Sequence, residues 1–195
     1  MSQPLLAAVG QTARFAWEAN YTIADPRWRL TQLHGLYQLV LSERNAIISA
    51  LAQGDAKLSS AYEYEIGLLV RDIHLHIANI ENAVAFEHVE SSQLGSLRAI
   101  QRPCGVNMLI SGYTNPIRFA LGPLAASLAA GNVTILATTM QHDHAWVSCL
   151  RKAWSKFLDP DATFLVSSCR DGDFATAIAD RITIYSKCGT VHLEL

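Results

Sequence analysis

Apolar residues in the first ninety positions recur with the period of an α-helix. Between Arg29 and Leu51 they fall on one face at intervals of three and four residues, and Gly54 follows as a stop signal. The pattern returns from Tyr62 to Ile80 at nearly heptad spacing. The stretch 83–97 is polar and interrupted, so we interpret it as a connection. The first half of the chain is therefore predicted to be a helical layer.

The period changes from residue 98 onward, where short apolar runs alternate with amphipathic segments. Strands are predicted at 106–111, 133–136, 163–166, 182–185 and 191–195. Helices are predicted between them at 118–130, 143–158 and 173–179, with Asp143 as an N-cap. Strands that alternate with crossover helices indicate a parallel sheet covered by helices on both faces. We therefore predict an α/β fold in which segments 1–97 and 98–195 form one compact unit.

Composition and charge narrow the class of protein. The 195 residues are 50% hydrophobic and 16% charged, and a formal net charge of −2 gives no basic footprint for nucleic acid. No run approaches the roughly 20 apolar residues of a membrane helix, and the N-terminus lacks the pattern of a signal peptide, so a cytoplasmic protein is expected. The four cysteines form no CxxC pair, which argues against a zinc site.

The segment RPCGVNMLISGYTNPIRFALGPLAASLAAGN, residues 102–132, carries the densest motif of the chain. It resembles the aldehyde dehydrogenase pattern P-x-G-V-x-x-x-I-x-x-W-N-x-P, which that family follows with A-x-A-A-G-N. The last five residues, VHLEL, are similar to the beginning of the family's V-x-L-E-L-G-G-K motif. The helices resemble the opening region of the class 3-type and fatty-aldehyde enzymes. The resemblance implies an N-terminal helical layer before a partial, Rossmann-like parallel βαβ sheet, with the catalytic thiol domain absent.

Positions to which the family assigns catalysis differ in this chain. The family's Trp-Asn pair supplies a side-chain amide that donates to the oxyanion, and Tyr113-Thr114 stands there instead. Thr114 is the candidate for that role by simple alignment, and Asn115 is the candidate by a one-residue slip. Glu194 aligns with the family's general base, a role that suits a carboxylate. These three residues are the predicted catalytic candidates.

The resemblance also bears on the cofactor NAD(P). The family lysine that binds the adenine ribose aligns with Ala137, and the glutamate of the same motif aligns with Met140. The family's Thr-Gly-Ser turn opens a helix that handles the pyrophosphate, and residues 186–189 take its place here. About one helix of sequence is missing before the final motif. We therefore expect no cofactor, and NAD(P) is implied only by family resemblance.

The remaining reactive residues are predicted to have structural roles. None of the cysteines matches the context of the family's nucleophile; we place Cys149 on a helix and Cys169 and Cys188 in loops. The run His142-Asp143-His144 is interpreted as a helix start, because i, i+2 spacing does not put two metal ligands on one helical face. The tryptophans are expected to pack in the core.

Several functions are compatible with this sequence. The first is an accessory or repurposed protein of a metabolic pathway, such as natural-product synthesis, with a partner enzyme or a second copy covering its apolar surface. The second is a cofactor-independent isomerase or cyclase that binds a small apolar molecule in the cleft. The third is residual NAD(P)-dependent oxidoreductase activity, and the fourth is a gene remnant that does not fold stably. We expect the first and do not expect aldehyde oxidation.

Overall fold

The N-terminal part of the protein consists of helices, as predicted. The computed structural model describes residues 3–19, 21–89, 103–111, 115–139, 145–169, 181–186 and 189–194. The elements of the first part are α1 (Gln3–Ala19), a 3₁₀ turn (Tyr21–Ala24), α2 (Pro26–Ala52) and α3 (Ala56–Val89). Helix α3 continues through much of the stretch predicted as a connection. No glycine or proline occurs between residues 83 and 89 to stop it.

The second part alternates strands and helices around one sheet. Its elements are β1 (Val106–Ser111), a π-helical turn (Ile117–Leu121), α4 (Gly122–Ala130), β2 (Val133–Thr139), α5 (Ala145–Phe157), β3 (Thr163–Cys169), β4 (Arg181–Ser186) and β5 (Gly189–Glu194). The strand order is β3-β2-β1-β4-β5. Strands β1 to β4 run parallel, which confirms the predicted α/β class. The helix predicted at 143–158 is observed as α5, although its predicted N-cap, Asp143, lies outside the described residues. The helix predicted at 173–179 lies outside them altogether.

Strand β5 runs antiparallel to β4, in contrast to the other strands. Its register pairs Ser186 with Gly189 and Arg181 with Glu194. Only residues 187 and 188 connect the two strands, whereas a parallel neighbour requires a crossover of about a dozen residues or more. The short connection therefore dictates a hairpin at this edge of the sheet.

Both faces of the central strands are buried. Leu109 of β1 and Leu136 of β2 belong to a core formed with α2, α3, α4 and α5. Met108 and Ile135, which alternate with them, belong to a second core that includes Leu6 of α1. This double coverage explains why the strands appear as nearly continuous apolar runs, as expected for a parallel sheet.

Helix α2 lies against α5 through a contact that only glycine permits. A Cβ at Gly35 would lie 2.0 Å from the carbonyl oxygen of Phe157. Two side chains of α2 hold the end of α5 nearby: Trp28 Nε1 donates to Asp159 Oδ2 at 2.9 Å, and the Asp159 N–H donates to Gln32 Oε1 at 2.9 Å. Helix α2 is thus held at close range against the C-terminal end of α5.

We expect Gly35→Ala to lower the melting temperature by about 3–8 °C, because the new methyl group forces α2 away from α5 at a cost of about 1–3 kcal/mol. Gly67→Ala is the matched control, since a Cβ at Gly67 has no neighbour within 4 Å. That variant should be neutral or more stable, because alanine favours the helix by about 1 kcal/mol. Equal melting temperatures for the two variants would contradict the close approach.

Candidate functional site

The carboxyl ends of parallel strands are where open α/β sheets bind ligands. Strand β1 ends at the buried Ser111, and Asn115 is exposed a few residues later. The φ angle of Asn115 is 49°, a left-handed conformation that few residues other than glycine adopt. Its carbonyl oxygen accepts the N–H of Phe119 at 2.9 Å in the π-helical turn. Thr114, the candidate for the oxyanion donor by simple alignment, lies outside the described residues.

The amino end of the sheet contains the scaffold residues of the motif. Asn132 Oδ1 accepts the N–H groups of Cys104 at 2.7 Å and Gly105 at 3.3 Å, so its side chain fixes the entry into β1. Gly131 ends α4 with a φ of 80°, and a Cβ there would lie 2.9 Å from Nε of Arg29. These contacts give Gly131 and Asn132 structural roles at the end of α4 and at the entry into β1.

Glu194 lies at the amino end of the sheet, away from Asn115. Its register partner is Arg181, the first residue of β4, and Arg181 in turn pairs with Asn107 near the start of β1. The rise from Asn107 to Ser111 is about 13 Å at 3.3 Å per residue. The structure therefore does not bring Glu194 and Asn115 to one end of the sheet, and a catalytic role for either stays a prediction.

Ala137 occupies a closed position. It pairs with Ile110 on β1 and with Val166 on β3, and it is fully buried in the core that α1 covers. The position aligned with the family's ribose-binding lysine is thus part of the hydrophobic interior. Met140, aligned with the glutamate, lies outside the described residues.

Glu65 of α3 is a titratable group that the sequence analysis missed. It packs beside the turn after β1, where burial raises the pKa of its carboxyl although the N–H of Arg118 donates to it and the charge of Arg118 opposes the shift. Its Oε2 atom is buried without a hydrogen-bond partner. Burial and the charge of Glu65 in turn raise the pKa of Tyr62. A glutamate within a helical repeat gives no sequence signal of such a contact.

The described cysteines and histidines do not form a reactive cluster. Cys104 is exposed and Cys149 is half-buried on α5, while Cys169 is the last residue of β3 and not part of a loop. His76 is half-buried, and burial lowers its pKa while Asp72 opposes the shift. Among the described residues there is no group of three or more side chains suited to a metal ion. Cys188 and the run 142–144 lie outside them.

Comparison with known proteins identifies the family. The profile of the Aldehyde dehydrogenase family matches residues 7–179. Aldehyde dehydrogenase family 3 member F1 of Arabidopsis thaliana is 26% identical over 149 residues, which is 74% of this chain and 31% of that protein. Beta-apo-4'-carotenal oxygenase of Neurospora crassa is 25% identical over 167 residues, or 83% of this chain and 31% of that protein. The chain belongs to the Aldehyde dehydrogenase family.

Solved structures agree with this assignment at the level of the fold. Aldehyde dehydrogenase C of Pseudomonas syringae, a C291A mutant in complex with NAD+ and octanal, superimposes with a TM-score of 0.69 at 16% identity. The match covers 94% of this chain and 38% of that one. The chain spans about a third of the length of its curated relatives. No helix among the described residues is long and apolar enough to cross a membrane.

The burial of Ala137 can be tested by restoring the family's residue. We expect Ala137→Lys to destabilise the protein by about 3–5 kcal/mol, because an uncompensated charge would enter the core between β2 and α1. Chemical denaturation measures the loss. Ala78→Lys, at an exposed position of α3, is the control and should change stability by less than about 0.5 kcal/mol. A stable A137K protein would mean that this position opens to solvent.

The environment of Glu65 predicts a pH-dependent effect of its neutralisation. Because the folded-state pKa is raised, the stability this group contributes at low pH is lost as the pH rises through that pKa. The melting temperature of Glu65→Gln minus that of the natural protein should therefore be more positive at pH 8 than at pH 4.5. Glu63→Gln, on an exposed pair with Arg44, is the control and should differ little between the two pH values. A pH-independent E65Q effect would disprove the burial of the ionised form.

Proposed function

We propose that this protein is an accessory or repurposed member of the Aldehyde dehydrogenase family that does not oxidise aldehydes with NAD(P) by itself. In this role it binds a partner enzyme, a second copy or a small apolar molecule in a metabolic pathway. Among the described residues Phe15 is 72%, Tyr64 69% and Leu75 58% exposed, and a partner that covered any of these side chains would remove apolar surface from water.

The observation that carries this proposal is the hairpin between β4 and β5. In the family, the resemblance implies that a helix begins after this strand and that its N-terminus handles the cofactor's pyrophosphate. Here Ser186 pairs directly with Gly189, and two residues separate the strands. Two residues cannot form a helix whose free N–H groups and dipole would attract a phosphate.

The position of Ala137 supports the same conclusion independently. A methyl group cannot hydrogen-bond to ribose hydroxyls, and this one is enclosed by β1, β3 and the α1 core. The enclosure of Ala137 and the short connection between β4 and β5 therefore both support a protein that does not hold NAD(P). No chemical step through this cofactor follows from the residues present.

A second candidate function is cofactor-free acid–base chemistry, such as isomerisation or cyclisation, at the carboxyl end of β1. The observation that favours it is the juxtaposition of Glu65, whose raised pKa suits proton transfer, with the turn that begins at Asn115. A π-helical turn and a left-handed asparagine are features that recur at functional sites. This candidate ranks second because the Oε2 atom of Glu65 is enclosed.

A thermal melt with and without NAD+ or NADP+ tests the proposal. A specific cofactor at 100 times its dissociation constant would stabilise the fold by ~2.7 kcal/mol, which is about 5–10 °C for a chain of this size. We expect a cooperative melt and a shift below about 0.5 °C with either nucleotide. The NAD+-binding enzyme of Pseudomonas syringae, measured in parallel, serves as the positive control.

Each result of this melt has a defined meaning. A shift of several degrees in this protein would overturn the proposal and restore the oxidoreductase hypothesis. A non-cooperative melt would favour either an obligate partner or an unstable remnant. Sedimentation of the protein, alone at rising concentration and with a candidate partner enzyme, would separate these two cases, because only a protein with a partner would form a defined complex. A shift with a small apolar compound alone would favour the second candidate.

A further inference from the structure

Helix α3 carries two stripes of residues on opposite sides. The inner stripe is buried against α2 and α4, and its members are Ile66, Leu69, Ile73, Ile77 and Ile80. The outer stripe advances by three and four residues in turn, which is heptad spacing, and its members are Ala61, Tyr64, Leu68, Arg71, Leu75 and Ala78. At about 100° per residue, the two stripes are centred about 180° apart. Packing within the described part of the chain therefore accounts for the inner stripe and not for the outer one.

The outer stripe is exposed and mainly apolar. Tyr64 is 69% and Leu75 58% exposed, and a Cβ at Gly67, which adjoins the stripe, would meet no neighbour within 4 Å. One exposed apolar side chain needs no explanation, because such residues are common on protein surfaces. Here every member of the outer stripe except Arg71 is apolar or aromatic, and the spacing is that of the seam between two packed helices. The pattern therefore indicates that the stripe binds another helix.

The charged member of the outer stripe determines which helix fits. Arg71 lies in its middle and is followed by Asp72, and Arg71 Nη2 lies 3.3 Å from Asp72 Oδ1, with side chains 70% and 36% exposed. A parallel copy of α3 would place Arg71 beside an identical arginine, and such like charges repel. An antiparallel copy, related by a two-fold axis between Arg71 and Asp72, places each arginine opposite Asp72 of the partner subunit. The same axis places Leu68 opposite Leu75 of the partner subunit, so both charge and apolar surface are self-complementary in this orientation.

We propose that the outer stripe of α3 binds a second copy of this protein, as an antiparallel helix pair whose two-fold axis passes between Arg71 and Asp72. Two arginines and two aspartates meet at the centre of the pair and fix its register and direction. The leucines on either side of them exclude water from the seam. The inference rests on the proposed function, because it specifies a second copy as the partner.

The size of the stripe sets the strength of the pair. Six residues from each copy are fewer than the roughly 20–30 on each side of a standard interface, so we expect a weak dimer with a dissociation constant on the order of 100 μM. Such a dimer forms and separates within the range of concentrations that sedimentation can follow. Its presence is therefore measurable on the intact chain.

Sedimentation velocity over a range of concentrations tests the proposal. We expect the intact chain to change from monomer to dimer between about 5 and 500 μM. Leu75→Glu should raise the dissociation constant at least about ten-fold, because the new charge opposes Leu68 and occurs twice in a symmetric dimer. The melting temperature of L75E, measured on the dilute monomer, should stay within about 1 °C of the natural protein, since Leu75 is exposed in the single chain. If L75E melts lower than this, Leu75→Gln replaces it.

An exposed apolar residue outside the stripe provides the matched control. Phe15 of α1 is 72% exposed, and Phe15→Glu introduces the same charge as L75E. We expect F15E to dimerise like the natural protein. A chain that stays monomeric at every concentration, or a dimer that F15E and L75E weaken equally, would overturn the proposal.

Charge exchange tests the antiparallel direction. Arg71→Glu alone should weaken the dimer at least about ten-fold, because it places like charges opposite each other at the centre of the pair. The double variant R71E/D72R should recover the natural dissociation constant within about three-fold, because each new glutamate then lies opposite a new arginine. In a parallel pair the exchange would leave like charges side by side. A double variant that remains as weak as R71E would therefore disprove the pairing.

The α3 dimer and the proposed function can fail separately. A monomeric protein whose melt is unchanged by NAD+ would remove the dimer and leave the proposed function with a different partner. A dimer that L75E disrupts, together with an NAD+ shift of several degrees, would keep the role of the outer stripe and overturn the proposed function. A monomer that NAD+ stabilises would overturn both.

Discussion

Burial of both faces of the parallel strands is the constraint on which the rest of the structure depends. Strands β1 and β2 consist almost entirely of buried residues, so one face needs α1 and the other needs the layer of α2 to α5. The close approach of Gly35 to Phe157 and the capping of β1 by Asn132 follow from this requirement. Each brings a helix or a loop near enough to exclude water from the sheet.

Chain connectivity then determines what the sheet can do at its edges. The same sheet would present Glu194 at its carboxyl end if a crossover helix preceded β5. With two connecting residues, β5 reverses direction and Glu194 pairs with Arg181 at the amino end. Two residues that the resemblance would assign to one site, Asn115 and Glu194, thus lie at opposite ends of the sheet. The alignment of Glu194 with a family motif therefore does not determine the end of the sheet at which this residue lies.

The sequence allowed most of the fold to be predicted, but less of the site. Periodicity located the helices and the strands because burial repeats along each element, and the stop at Gly54 follows from its φ of 90°. The direction of β5 was missed because an alternating run looks the same in either direction. The contact of Glu65 with Arg118 was missed because it joins two elements far apart in the sequence, so no local pattern marks it.

The kinds of residue that differ from the family pattern indicate how the protein has changed. Gly105 and Gly131 have φ angles of 114° and 80°, which favour glycine, and the side chain of Asn132 accepts the N–H groups at the entry into β1. Replacing any of the three would strain the backbone or remove this contact. Position 137 lies in the closed core, where the methyl group of alanine is less costly to bury than the ammonium group of the family's lysine would be. Random decay would damage core and site alike, whereas the described part of the chain keeps the contacts of Asn132 and encloses Ala137 in the core. This asymmetry argues for a folded scaffold and against a remnant losing its structure.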